Sequence, residues 1–147
     1  MASLDDPRVR DFLAHGTRTG KLAFLAAGGR PLVAPVWFIV EGDSLVFNTH
    51  RHTAKGRALA RDPRASLCVD EEEPPYAFVQ VQGEVELSED PAELVRTATA
   101  IAARYMGAER AGAPRRRIFA GPRAPDQSGL IRTRPDHRLS RSAPPSG

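Results

Sequence analysis

The sequence contains only one cysteine, Cys68, among its 147 residues, and this excludes an internal disulfide framework. Cys68 lies within the apolar run 65–69 and has no basic neighbours in that run, which favours a small buried side chain over a nucleophile. No apolar run reaches the length that spans a bilayer, and the N-terminus lacks a basic start followed by an apolar stretch. These absences predict a soluble, cytoplasmic protein with no membrane partner.

The motifs of common catalytic sites are also absent. No two of the four histidines stand at zinc-finger or zincin spacing, since His50 and His52 flank Arg51 at the end of an apolar run. No serine nucleophile elbow, lysine-ending phosphate loop or glycine-rich dinucleotide motif follows a predicted strand. The sequence therefore predicts no metal site, and an enzyme with this sequence would use a bound cofactor to supply the reactive atom.

The net charge is small. Lysine and arginine number 21 against 18 acidic residues, and only two of the basic residues, Lys21 and Lys55, are lysines. The arginine cluster 115–117 has no groove-reading motif or stacking platform beside it, so nucleic acid is not an expected partner. The length suits one domain, which we predict over residues 1–139. Residues 140–147 offer no sizeable apolar group to bury and are predicted to be a disordered tail.

Turn signals and hydrophobic periodicity predict mainly β structure with flanking helices. A leading helix starts at Asp6-Pro7 and ends at Gly16, a second follows Thr53, and a third runs from Asp90-Pro91 to Gly107 with Leu94, Val95, Ala98, Ile101, Ala102 and Tyr105 on its inward face. Strands are predicted in residues 20–27, 31–40, 45–49, 64–70, 76–87 and 130–134, the fifth with Ala77, Val79, Val81, Gly83, Val85 and Leu87 on its buried face. This order of elements favours a closed or nearly closed barrel of about six antiparallel strands.

The segment that begins at Thr53 has the features of a phosphate site. Thr53 is a suitable N-cap, so the free backbone N–H groups after it, Lys55 and Arg57 could converge on one anion. The alternative is an ordinary amphipathic surface helix, in which Ala54, Ala58 and Leu59 pack inward and the basic side chains are solvated. The segment alone does not decide between these two interpretations.

Four segments together resemble a known family. They are residues 29–38 (Gly-Arg-Pro-Leu-Val-Ala-Pro-Val-Trp-Phe), 45–49 (Leu-Val-Phe-Asn-Thr), 55–64 and 74–83. In combination they resemble the pyridoxamine phosphate oxidase-like split β-barrel proteins, and the likeness extends over about two-thirds of the chain. The Pro-Val-Trp-Phe and Pro-Pro-Tyr segments resemble the branch that uses the deazaflavin coenzyme F420.

This resemblance implies a split β-barrel that forms a homodimer, with two cofactor sites at the subunit interface. The backbone of residues 35–38 would line the ring system, Thr53, Ala54 and Lys55 would hold the phosphate, and Tyr76 would approach the ring. The full set of implied cofactor-binding residues is Pro35, Val36, Trp37, Phe38, Asn48, Thr49, Thr53, Ala54, Lys55, Arg57, Pro75, Tyr76 and Gln80.

The implied activity is that of an F420-dependent oxidoreductase, in which reduced F420 gives a hydride to a small conjugated substrate. The proton that follows the hydride would come from water or from Tyr76. Two alternatives stay open at this point. FMN could replace F420, because one phosphate at the Thr53 helix does not distinguish them, or the protein could bind a flavin or deazaflavin without catalysis.

Overall fold

The computed structural model describes residues 4–108 and 128–140. Within these residues the chain forms three helices, α1 (Pro7–Ala14), α2 (Ala54–Arg61) and α3 (Pro91–Met106). It also forms seven strands: β1 (Gly20–Leu25), β2 (Pro31–Val36), β3 (Ile39–Glu41), β4 (Ser44–His50), β5 (Arg64–Asp70), β6 (Phe78–Ser88) and β7 (Ser128–Ser140). The mainly β architecture with flanking helices is as predicted. Of the predicted disordered tail, all residues after Ser140 lie outside the described residues.

Local capping sets where the helices start. The Asp6 carboxylate accepts a hydrogen bond from the N–H of Arg8 at 2.9 Å, and Pro7 occupies the first helical position. Asp90 accepts one from the N–H of Ala92 at 3.2 Å, and Pro91 again follows the cap. Proline has no N–H to lose at that position, and its fixed φ matches the helix. All three predicted helices are confirmed.

The strands form one antiparallel sheet in the order β2-β1-β5-β6-β7-β4-β3. Its two edge strands, β2 and β3, are joined by only two residues, Trp37 and Phe38. The three Cα–Cα steps from Val36, at the end of β2, to Ile39, at the start of β3, span at most about 11 Å. The two edges must therefore lie close together, and the sheet must curl on itself. The result is a barrel that is split between β2 and β3, in agreement with the predicted fold class.

The inward faces of the strands and the apolar faces of α1 and α2 fill the barrel. Leu22 of β1 lies opposite Leu67 of β5, and both are fully buried. Leu59 of α2 joins the same core cluster. Along β6 the side chains alternate as predicted, with Val79, Val81 and Val85 buried and Gln82, Glu84 and Glu86 exposed. The α2 helix therefore uses Ala58 and Leu59 to pack on the core, while its first turn stays near the surface.

Several boundaries differ from those predicted. Residues 31–40 form two strands, because the chain leaves one edge of the sheet at Val36 and joins the other at Ile39. Tyr76 precedes β6 in a turn with φ of +56°, and the last strand is longer than residues 130–134. Two predicted inward side chains, Leu87 and Val95, are exposed. On α3 the fully buried Thr97 lies on the inward face, where its hydroxyl donates to the carbonyl of Glu93 at 2.8 Å.

None of the helices in the described residues is both long enough and apolar enough to cross a membrane. Among the same residues, no three histidine, cysteine, aspartate or glutamate side chains come together as a group that could hold a metal ion.

Candidate cofactor site at the split of the barrel

The first turn of α2 is tied to the end of β4. The Thr53 hydroxyl accepts a hydrogen bond from the N–H of Gly56 at 3.0 Å and donates one to the carbonyl of His50 at 2.7 Å. Its oxygen also lies 3.1 Å from the Thr49 hydroxyl. Because the Thr53 proton goes to His50, Thr49 is the donor in that pair. The predicted cap is thus confirmed, and the buried Thr49 supports it from below.

Two backbone donors at this helix start are free. Within residues 4–108 and 128–140, the N–H groups of Ala54 and Lys55 have no hydrogen-bond partner, as is usual for the first positions of a helix. Both N–H groups lie at the positive end of the helix dipole. A bound anion would give both groups a partner.

Lys55 is the unusual charge of the site. Its side chain is half-buried, and burial alone lowers the pKa of its ammonium group from the usual lysine value of 10.5. In the described part of the chain the side chain of Lys55 makes no salt bridge or hydrogen bond, whereas the other lysine, Lys21, is paired with Asp70 at 2.5 Å. A partly desolvated cation without a counter-ion is a favourable place for an anionic ligand.

Gly56 lets α2 approach the β4–α2 turn closely. A Cβ atom at this position would lie 2.3 Å from the carbonyl oxygen of His50 and 2.9 Å from the Cα of Arg51. Both atoms belong to the backbone and cannot rotate away. The absence of a side chain at residue 56 therefore sets the position of the free N–H groups relative to β4.

Arg57 is bonded to the turn that precedes this helix. Its guanidinium Nη1 donates to the carbonyl of His52 at 2.5 Å, so the side chain folds back on the turn before the helix. The imidazole rings of His50 and His52 are 5.4 Å apart in the same turn. The structure thus brings Thr49, Thr53, Ala54 and Lys55 together and leaves Arg57 at the edge of the group.

The link between β2 and β3 enters the sheet beside β4. Ile39, the residue that follows the link, pairs with Val46 of β4. Trp37 is 39 % exposed, while Phe38 is fully buried. The N–H of Phe38 donates to the Tyr105 hydroxyl at 3.3 Å and its carbonyl accepts from Arg104 at 2.6 Å. Phe38 therefore presents no free backbone group in this structure, whereas part of the Trp37 indole is open to solvent.

Pro35 and Gln80 lie in one row on the outer face of the sheet. The row runs from Pro35 through Lys21 and Cys68 to Gln80, one residue from each of β2, β1, β5 and β6. The Gln80 amide donates to the Ser66 hydroxyl at 2.9 Å. Three strand spacings, about 14 Å, separate β2 from β6. A ligand that touches both ends of this row in one chain would have to cross β1 and β5.

A charged cleft of about 550 Å³ lies next to the residues that lead into β1. The ion pairs Arg18–Glu71, at 2.7 Å, and Lys21–Asp70 join its two walls. The loop that carries Pro75 and the exposed Tyr76 continues from Pro74, which lines the cleft. The lining is His15, Gly16, Thr17, Arg18, Thr19, Lys21, Asp70, Glu71, Glu72, Glu73 and Pro74.

Two residues at the end of α3 were missed as site residues by sequence reasoning. The sequence predicts Tyr105 only as part of the apolar face of α3 and gives no signal for Arg104. Both contact the β2–β3 link and the residues before β1, more than 65 positions away in sequence. No local pattern encodes such contacts.

A comparison with protein families matches residues 5–136 to the pyridoxamine 5'-phosphate oxidase model. The chain belongs to the pyridoxamine 5'-phosphate oxidase family. A comparison with curated proteins finds no match. The family assignment and the split barrel agree, so the predicted resemblance is confirmed at the level of the family.

Solved structures with the same fold include members of different kinds. A conserved hypothetical protein from Mycobacterium tuberculosis has a TM-score of 0.76 at 21 % identity, covering 96 % of this chain and 86 % of its own. A protein described as an F420 reductase has a TM-score of 0.69 at 25 % identity, covering 91 % and 98 %. A heme storage protein from Vibrio cholerae has a TM-score of 0.65 at 19 % identity, covering 95 % and 94 %. The same fold therefore occurs in an F420 reductase and in a heme storage protein.

Proposed function

We propose that this protein is an oxidoreductase that takes a hydride from reduced coenzyme F420 and delivers it to a small conjugated substrate. The observation that carries the proposal is Lys55, a half-buried cation without a partner among the described residues, next to two free backbone N–H groups at the start of α2. The 25 % identity to a reductase named for F420, over nearly the whole of both chains, supports the choice of cofactor.

The phosphate of the cofactor is proposed to bind at the start of α2. The N–H groups of Ala54 and Lys55 would donate to its oxygens, and the Lys55 ammonium group would supply the opposite charge. Thr53 is already committed to Gly56 and His50, so its role is to hold the turn in place. Arg57 is bonded to the carbonyl of His52 and is assigned no phosphate contact.

The ring of the cofactor is proposed to lie along the split of the barrel, against the exposed part of Trp37 and the outer face of Pro35. When bound, reduced F420 supplies the hydride from its deazaflavin ring. The substrate would enter the cleft beside residues 15–19, whose charged walls suit a molecule that carries polar groups. The proton that follows the hydride is proposed to come from water or from the exposed hydroxyl of Tyr76.

A homodimer is proposed to complete the site. Three residues on the outer face of the edge strand β2, Pro31, Val33 and Pro35, are all exposed, and Val33 is 69 % exposed. An exposed apolar row of this kind is typical of a protein interface. In a symmetric dimer Tyr76 and Gln80 of one subunit would approach the ring held by the other, which would remove the need for one chain to span β1 and β5.

FMN is the second candidate cofactor, because the start of α2 contacts only a phosphate, which FMN also carries. A non-catalytic role in binding a flavin or deazaflavin is the third interpretation. A heme storage protein shares this fold, but at 19 % identity the similarity extends to the fold alone.

Titration of the purified protein with F420 and with FMN, followed by absorbance and fluorescence, tests the proposal. Saturable binding of F420 with little binding of FMN is the expected result. Lys55→Met should weaken binding about 10- to 150-fold, because a charge-assisted hydrogen bond contributes about 1.5–3 kcal/mol. Arg61→Ala is the matched control, since it removes one exposed positive charge from the last turn of the same helix.

Three results would count against the proposal. Equal losses in Lys55→Met and Arg61→Ala would mean that only the general charge of the helix matters. An unchanged dissociation constant in Lys55→Met, with the fold intact, would remove the phosphate site. A monomer mass that does not change with concentration in sedimentation would remove the interface.

A further inference from the structure

The last turn of α3 connects three segments that are far apart in sequence. The Arg104 guanidinium donates to the carbonyls of Leu13 at 2.7 Å, Gly16 at 3.1 Å and Phe38 at 2.6 Å. It also lies 4.6 Å from the centre of the Phe38 ring. The end of α1, the residues before β1 and the β2–β3 link are therefore all fixed to one side chain.

Tyr105 makes the contact with the tryptophan. Its ring is parallel to the Trp37 indole within 1°, and the ring centres are 5.0 Å apart. The Tyr105 hydroxyl donates to the carbonyl of Arg18 at 2.8 Å and accepts from the N–H of Phe38 at 3.3 Å. The phenol is thus held at both its ring and its hydroxyl, and burial raises the pKa of Tyr105, which favours the protonated hydroxyl.

Trp37 needs such a support because of where it lies. It belongs to the two residues that join the edges of the sheet, outside both β2 and β3, so no strand ladder fixes its orientation. Tyr105 covers one face of the indole and leaves the side chain 39 % exposed. Arg18, whose carbonyl is bonded to Tyr105, also lines the charged cleft.

We propose that Tyr105 is a positioning residue, which sets the plane of the Trp37 indole against the cofactor ring and fixes it relative to the cleft wall at Arg18. This inference rests on the proposed function, since it assumes that Trp37 lines the ring site. Tyr105 acts through Trp37 and needs no contact with the substrate or the cofactor.

Trp37 is the only tryptophan of the chain, so intrinsic fluorescence excited at the indole reports on this residue alone. Two variants separate the parts of the contact. Tyr105→Phe keeps the stacked ring and removes the hydroxyl, whereas Tyr105→Ala removes both. Val95→Ala is the control, because Val95 is exposed on the same helix about 15 Å along its axis.

The cofactor-free proteins are compared first, by acrylamide quenching and by the anisotropy of tryptophan emission. Tyr105→Ala should be quenched more readily and show lower anisotropy than the wild type, while Val95→Ala should match the wild type. Tyr105→Phe should retain most of the wild-type anisotropy, because the ring stack remains. Equal quenching and anisotropy in Tyr105→Ala and the wild type would overturn the proposal.

Titration with F420 then tests the consequence. Tyr105→Ala should bind about threefold to tenfold more weakly, on the scale of one aromatic pair, and Tyr105→Phe should restore most of the loss. A mobile indole with unchanged affinity would overturn the positioning role while the proposed function stands. Absence of F420 and FMN binding in the wild type would instead refute the proposed function. If Tyr105→Ala does not fold, Tyr105→Phe decides: an anisotropy as low as that of free tryptophan overturns the proposal.

Discussion

Replacing Gly56 with alanine tests how the start of α2 is held. In an ordinary surface helix this change would stabilise the protein, because alanine is favoured over glycine by about 0.8–1.0 kcal/mol in a helix interior. Here the new Cβ would lie 2.3 Å from the carbonyl oxygen of His50 and 2.9 Å from the Cα of Arg51. Neither atom can move without moving the β4–α2 turn, so we expect the opposite sign.

The size of the effect follows from three contributions. Overpacking costs about 1–3 kcal/mol, and displacing the helix start from Thr53 costs about 1 kcal/mol more through the lost cap. The gain in helix propensity offsets about 1 kcal/mol of these two costs. The free energy of unfolding should therefore fall by about 1–3 kcal/mol, which lowers the melting temperature by several degrees in a domain of this size.

Urea or guanidinium denaturation of both proteins measures this difference. Ala60→Gly, at an exposed position of α2, is the control and should lose about 1 kcal/mol through propensity alone. Phosphate or FMN affinity should also fall in Gly56→Ala, because the free N–H groups move with the helix start. A Gly56→Ala protein as stable as the wild type or more stable would refute the close approach of α2 to the turn.

Two further predictions concern ionisation. Burial favours the neutral amine of Lys55 and lowers its pKa below the usual lysine value of 10.5, whereas a bound anion favours the ammonium form. Anion binding should therefore weaken as the pH rises through this lowered pKa. Isothermal titration with phosphate or FMN across this pH range measures the change in affinity. The Cys68 thiol should react with a disulfide reagent at pH 8 more slowly than a free cysteine, because burial first and Asp70 second raise its pKa; a rate equal to that of free cysteine would contradict this.

The parts of the fold that could be predicted from the sequence depend on neighbouring residues. Asp6-Pro7, Thr53 and Asp90-Pro91 each cap a helix through atoms two or three residues away, so each start was correctly predicted. The alternation of β6 was also visible, since one face packs on the core. Leu87 departs from it near the end of the strand, where the core no longer covers the side chain.

What the sequence did not reveal depends on the closure of the barrel. Residues 31–40 read as one β run because Trp37 and Phe38 are as apolar as their neighbours. Only the topology, with β2 and β3 at opposite edges, requires a break at these two residues. The contacts of Arg104 and Tyr105 with this break depend on how α3 crosses the finished sheet, and no periodicity in α3 distinguishes them from ordinary surface and core positions.

The two lysines of the chain show how structure strengthens a sequence-based hypothesis. Lysine is rare in this chain, so the sequence alone does not distinguish the two residues. In the structure Lys21 is paired with Asp70, whereas the side chain of Lys55 is half-buried without a partner in the described residues. A desolvated charge lowers the stability of the unliganded protein, so Lys55→Met, which keeps the length of the side chain, should leave that protein at least as stable as the wild type. The same change should weaken binding of the phosphate-bearing cofactor. Opposite effects on stability and on binding distinguish a ligand-binding lysine from a structural one, because loss of a structural lysine would lower both.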